Sequence, residues 1–127
     1  MKPEIKQRLV EALRSGCFQQ SVGDLRHQDD ECGDCFCAMG VLCELYREDH
    51  PEAYWKQNFE LHGVTAFFAS PADESSEESF YGNVYGAPKK VLEWAGVDST
   101  FEETVVEWND SEYRTFEEIA QLIDEAY

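Results

Sequence analysis

The residues with the clearest chemical potential are the cysteines. Five occur, at Cys17, Cys32, Cys35, Cys37 and Cys43. Cys32-Gly33-Asp34-Cys35 has the two-residue gap of a zinc knuckle, and Cys37 adds a third thiol nearby. Tetrahedral zinc needs four convergent ligands. His27 and His50 are the remaining candidates, but no second Cys-x-x-Cys pair is present. A redox pair at Cys32 and Cys35 needs a basic setting to lower a thiol pKa, and here acids surround it. The competing reading makes Cys37 and Cys43 small buried core residues and the others free thiols. The odd count argues against a disulfide framework.

Acid–base chemistry has weaker support. The three histidines, His27, His50 and His62, are far apart in sequence. No HExxH, Gly-x-Ser-x-Gly, GxGxxG or Walker loop occurs. The expectation is a protein that binds rather than turns over a substrate, with no cofactor.

Charge supplies the second set of candidates. Ten Lys+Arg against 27 Asp+Glu give −17 at neutral pH. Such a chain repels phosphate, so direct DNA or RNA binding is disfavoured, and it is drawn to basic surfaces. One acidic cluster is Asp73, Glu74, Glu77 and Glu78; a second is Glu102, Glu103 and Glu107, continuing to Asp110 and Glu112. Carboxylates this dense imitate a phosphate array and could fill a nucleic-acid channel on a partner; the bland alternative is a solvated face. Residues 1–28 run the other way, with five bases and three acids (+2), against five bases and 24 acids (−19) over 29–127. Arg14 and Arg26, with Phe18 beside them, are therefore candidates for a small basic and aromatic ligand pocket. Ordinary pairing with the acidic two-thirds is the alternative.

These residues need a scaffold, and 127 residues is one domain's length. At 43% hydrophobic and 13% aromatic the chain is too apolar to be disordered. No apolar run approaches a membrane span, and the charged first residues do not read as a signal peptide, so a cytoplasmic protein is expected. The spacing of Ile5, Leu9, Ala12 and Leu13 predicts a helix over 3–14. Residues 17–34 read as loop with one short strand over 21–25. A central helix over 35–48 is apolar nearly all round, and Gly40 within it predicts close approach of another backbone. Residues 52–57 read as a turn docking Tyr54 and Trp55. Residues 59–69 and 80–85 read as an antiparallel pair joined by a mobile acidic loop near 70–79. Pro88 opens a short helix that Gly96 stops. Thr100-Phe101-Glu102-Glu103 and Thr115-Phe116-Glu117-Glu118 both match a capping box. The sum is a mainly helical α+β domain over 1–127 with a small antiparallel sheet.

Several strings resemble a known family. They are Ala12-Leu13-Arg14-Ser15-Gly16, Gln20, Leu25-Arg26, Phe36-Cys37-Ala38-Met39-Gly40-Val41-Leu42-Cys43-Glu44-Leu45, and residues 88–96 (PKKVLEWAG). Asn109-Asp110 and Thr115-Phe116-Glu117-Glu118-Ile119-Ala120 with Ile123 complete the set. Together they are similar to an uncharacterised family of small phage and prophage proteins. The chain departs from it by carrying Ala38 where a second Cys is usual, and by adding Cys32 and Cys35. The resemblance implies an accessory protein that blocks a host defence without turnover. Combined with the charge, it yields a leading expectation: an acidic inhibitor docking on a basic, nucleic-acid-handling host defence protein. The alternatives are a sponge for a nucleotide signal at Arg14, Arg26 and Phe18, and a zinc-stabilised module at Cys32, Cys35 and Cys37.

Overall fold

A computed structural model of the chain describes residues 1–29, 33–57, 64–74 and 83–127. Its centre is helix α2 (Ala38–Asp49), which follows α1 (Pro3–Arg14) and the strands β1 (Gln19–Gln20), β2 (Arg26–Asp29) and β3 (Gly33–Phe36). After it come β4 (Tyr54–Gln57), β5 (Val64–Phe68), a 3-10 turn (Pro71–Asp73) and the helices α3 (Lys89–Ala95), α4 (Ser99–Val106) and α5 (Phe116–Ala126). A π-turn (Glu107–Ser111) continues α4. The strands form one mixed sheet in the order β1-β3-β2-β5-β4, antiparallel except for the β1–β3 pair. The domain is α+β and mainly helical, as expected. No helix among the described residues is long and apolar enough to cross a membrane.

Helix α2 is buried along nearly its whole length, from Ala38 to Cys43 and again at Leu45 and Tyr46. It begins three residues later than the periodicity suggests, because Gly33–Phe36 is drawn into the sheet. Cys37 then caps the helix, its Sγ accepting from the Gly40 amide at 3.4 Å. Segment 21–25 is bent rather than extended. Its backbone nonetheless anchors the core. The Leu25 amide donates to Val84 O (2.9 Å), and Leu25 O accepts from the Cys37 amide (3.1 Å). Gly40 sits against this carbonyl. A Cβ there would overlap Leu25 O and lie 2.8 Å from its carbonyl carbon.

The same region is stapled by two amides. Asn109, 1% exposed, accepts at Oδ1 from Gln20 Nε2 (2.9 Å) and from the Ala38 amide (3.3 Å). Its Nδ2 donates to Ser21 O (2.9 Å) and to Asp110 Oδ1 (2.7 Å). Gln20 also donates to Arg114 O (2.7 Å) and accepts from the Phe116 amide (3.1 Å) at the start of α5. Most buried polar groups in folded proteins are satisfied in this way. Asn109 thus ties α2, the segment after β1 and the π-turn together.

Around this centre, α1 packs on α5, with Ile5, Leu9 and Leu13 facing Ile119, Ala120 and Ile123 in one core. The alternation of β5 serves two layers. Phe67 joins the α2 core, while Ala66 and Phe68 face Val84 in a smaller cluster on the opposite side.

Four local expectations change. Tyr54 and Trp55 lie in β4, not in a turn, because β5 offers them a paired neighbour. Strand β5 pairs with β4 and β2; residues 83–85, expected as strand, are helical. Residues 58–63 and 75–82 lie outside the described residues. The segment expected as a mobile acidic loop opens with the Pro71–Asp73 turn. Helix α4 is capped by Asp98, which accepts from the Phe101 amide at 3.1 Å, and not by Thr100. Asp caps better than Thr, so the helix starts two residues earlier than the Thr100 box requires. The Thr115 box forms with both reciprocal bonds.

Replacing Gly40 by Ala should therefore destabilise the fold by about 2 kcal/mol or more, although Ala gains about 1 kcal/mol of helix propensity. Urea unfolding measures the balance. A net gain in stability would contradict the close approach to Leu25.

Candidate functional site

The sheet register builds a site that no contiguous motif announces. Arg26 in β2 stands opposite Phe36 in β3 on one side and Thr65 in β5 on the other. Trp55 in β4 stands opposite Phe67, two residues along from Thr65. Paired residues share a sheet face, so Arg26, Phe36, Thr65 and Trp55 project to the same side. The Arg26 guanidinium carbon lies 5.5 Å from the Phe36 ring centre and 5.4 Å from that of Trp55. Phe18 meets the edge of Phe36 at 5.2 Å.

Helix α2 supplies the facing wall through its exposed flank, where Glu44, Arg47 and Glu48 follow helical spacing. Glu44 accepts from Trp55 Nε1 (2.7 Å) and from both Nε and Nη2 of Arg47. A cavity of about 490 Å³ lies between these groups, within the range of small-molecule sites. Its polar atoms are largely engaged. Arg26 Nη2 pairs with Asp34 Oδ2 at 3.0 Å, and Glu48 pairs with Arg8 at 3.2 Å. Partial burial works against ionisation of Asp34, yet hydrogen bonds from Gln28 and Arg26 hold its carboxyl below the usual value. Arg26 Nε and the Thr65 hydroxyl are buried without a hydrogen-bond partner among the described residues.

The sequence-predicted ligand residues divide. Phe18 and Arg26 meet in this cavity; Arg14 does not. Arg14 lies on α1, donating to Glu117 (3.1 Å) and Gln121 (2.8 Å) of α5. Its guanidinium is spent on helix packing because α1 and α5 run side by side. Trp55, Glu44 and Arg47 were not foreseen as site residues. Only the Glu44–Arg47 spacing hinted at a pair, and nothing local pointed to Trp55.

The acidic candidates also divide. Asp73 pairs with Lys90 at 3.2 Å, and Glu74 binds Lys56 and the Tyr54 hydroxyl. Glu77 and Glu78 lie outside the described residues. Glu102 is half-buried and accepts from the Ala87 amide at 2.7 Å. Burial raises its carboxyl above the ordinary value, Glu103 adds to the rise, and the Ala87 bond opposes it. Glu103 and Glu107 are exposed and make no ion pair among the described residues.

The cysteine readings are corrected in one respect. Cys35 is disulfide-bonded, so it has no thiolate to offer a metal. An odd cysteine count forbids only complete pairing, not one bridge. Cys37 is fully buried as the α2 cap, and burial pushes its thiol up to about 12. Cys43 is likewise buried and raised, and Cys17 is exposed and free. Cys32 lies outside the described residues. No group of three His, Cys, Asp or Glu side chains suited to a metal occurs among the described residues. Of the histidines, His27 Nδ1 lies 3.3 Å from Asp24, and His50 stacks on Tyr46 with ring centres 3.8 Å apart. His62 is outside the described residues.

Comparison with protein families finds a match along residues 1–127 to a family described as a domain of unknown function, DUF8296. The chain belongs to the DUF8296 family. No curated protein and no solved structure matches it. Membership says nothing of chemistry, so the DUF8296 site is read from its own geometry.

Two expectations follow. Glu102 has a raised folded pKa, so its contribution is favourable below the unfolded value and is lost as pH rises through the folded one. Glu102→Gln should therefore match or exceed the native melting temperature at about pH 7, and lose that advantage at about pH 4. A thermal scan at both pH values checks the sign. Separately, a thiol reagent should modify Cys17 in the folded protein but reach Cys37 and Cys43 only after unfolding. Peptide mapping of the labelled sites distinguishes them.

Proposed function

We propose that this DUF8296 protein is a non-catalytic docking protein of the cytoplasm. Its acidic surface occupies the basic, nucleic-acid-handling face of another protein. The resemblance to phage accessory proteins makes a host defence protein the partner of choice. One observation carries the reading. Residues 93–127 hold eleven acids and a single base, Arg114, a balance of 1 − 11 = −10.

One feature of that surface favours docking over mere solubility. Glu103 and Glu107 project from α4 and its π-turn one helical step apart, exposed and without an ion-pair partner among the described residues. Such carboxylates are free to pair with incoming Lys or Arg without first breaking an internal bond. Asp73, Glu74 and Glu102 are already engaged, so the docking face shifts from the 73–78 segment to the C-terminal helices. Association of this kind is fast, salt-dependent and competed by polyanions.

The test uses an arginine- and lysine-rich nucleic-acid-binding protein as probe. Affinity should fall steeply with ionic strength and be competed by DNA. Combined Glu103→Lys and Glu107→Lys substitution should weaken it by at least about tenfold, leaving the melting temperature within a few degrees. Binding indifferent to salt, or unchanged in the double variant, would rule the reading out.

A further inference from the structure

We infer that the cavity between α2 and the sheet is a binding site for a planar aromatic monocarboxylate, independent of the acidic docking surface. Its walls are flat. Phe18, Phe36 and Trp55 present ring faces and edges, and the Arg26 guanidinium lies against two of them at 5.4 and 5.5 Å. A conjugated ring stacks on such a surface through both dispersion and the delocalised cation.

The spare hydrogen-bonding capacity decides the polar end of the ligand. Every carboxylate in the cavity is engaged. Asp34 accepts from Arg26 and Gln28, Glu44 from Arg47 and Trp55, and Glu48 from Arg8. The two guanidinium groups are not saturated. Among the described residues Arg26 pairs through Nη2 alone and leaves Nη1, its Nε being shut off from the cavity; Arg47 uses Nε and Nη2, leaving Nη1. The remaining donors ask for an acceptor, and planar forks suit a carboxylate.

Other ligand classes fit worse. A cation finds its place against Trp55 and Phe36 taken by Arg26 and the acids already paired. A wholly apolar ligand would dehydrate Arg47 and Arg26 donors without replacing their water. A nucleoside polyphosphate would bring several charges toward Asp34, Glu44 and Glu48 on a chain of net charge −17. One carboxylate matches two partly used guanidiniums and, with a single charge, meets less of that repulsion.

The experiment is calorimetric titration of the full chain with indole-3-acetate and 4-hydroxyphenylacetate. Indole-3-acetamide and adenosine monophosphate serve as comparators, and tryptophan fluorescence is a second readout. The expected result is saturable binding of the carboxylates, at least about tenfold tighter than the amide. Arg26→Lys should weaken binding by about tenfold because the planar plate is lost. Arg26 also supports the fold, so Arg47→Ala on the exposed rim provides a variant whose melting should not change while carboxylate binding drops several-fold. Absence of saturation with both carboxylates would overturn the proposal. So would amide binding equal to acid binding, tighter binding of the monophosphate, or an Arg47→Ala protein that binds as the native one does. None of these readouts involves Glu103 or Glu107, so this site and the docking surface stand or fall separately.

Discussion

The seating of the first turn of α2 on the backbone of Leu25 constrains everything else. Gly40 removes the one side chain that would stand between them, and Leu25 O takes the Cys37 amide as the chain turns from β3 into the helix. That contact fixes how near α2 comes to the sheet. Asn109 closes it from the other side by accepting from the Ala38 amide and holding Gln20 and Ser21. An amide in a buried position is costly unless satisfied, so this network allows one arrangement of three chain segments and penalises slippage. Many of the residues shared with the resembled family (Gln20, Leu25, Cys37, Gly40, Asn109 and Phe116) converge here. Their common role is to place α2, which makes them informative about fold and silent about ligand.

The charge asymmetry along the chain is reorganised by packing. Residues 1–28 carry +2, yet their bases do not form a basic patch. Arg8 pairs with Glu48 and Asp49, Arg14 with Glu117, Lys6 with Asp124 and Arg26 with Asp34. The acids of these pairs are exposed and their bases only partly covered, so solvent screens each pair and limits what it contributes to stability. Their larger effect is on the field. They cancel the positive third against acids of α2, β3 and α5, leaving a surplus of carboxylates on the C-terminal helices. A surface with a net surplus of one sign on a self-sufficient core is what electrostatic docking requires.

The cavity follows from the same placement of α2. Seated at Gly40, the helix carries Glu44, Arg47 and Glu48 out over the face where Arg26, Phe36 and Trp55 meet. Glu44 then serves twice, holding Trp55 by its indole nitrogen and Arg47 by its guanidinium. This fixes an aromatic wall and a cationic rim in one stroke. The site is thus an outcome of helix-to-sheet distance rather than of a local motif.

Local rules determined a good part of this protein without any structure. Helix α1 and its ends, the buried character of α2, the close approach at Gly40, the stop at Gly96 and the Thr115 box all follow from periodicity, caps and glycine. Each depends on neighbours within a few residues. The short strands were not legible in the same way. Gln19–Gln20 and Arg26–Asp29 have no alternating hydrophobic pattern, because they are held by hydrogen bonds to distant strands and not by a buried face of their own. Tyr54 and Trp55 read as part of a turn for the same reason. Only tertiary pairing decided that Arg26 would face Trp55, that Arg14 would be consumed by α5, and that Glu102 would turn inward while Glu103 and Glu107 stayed outside. Charge counts fix the total field of a chain. The positions of those charges depend on long-range register, which one-dimensional pattern does not carry.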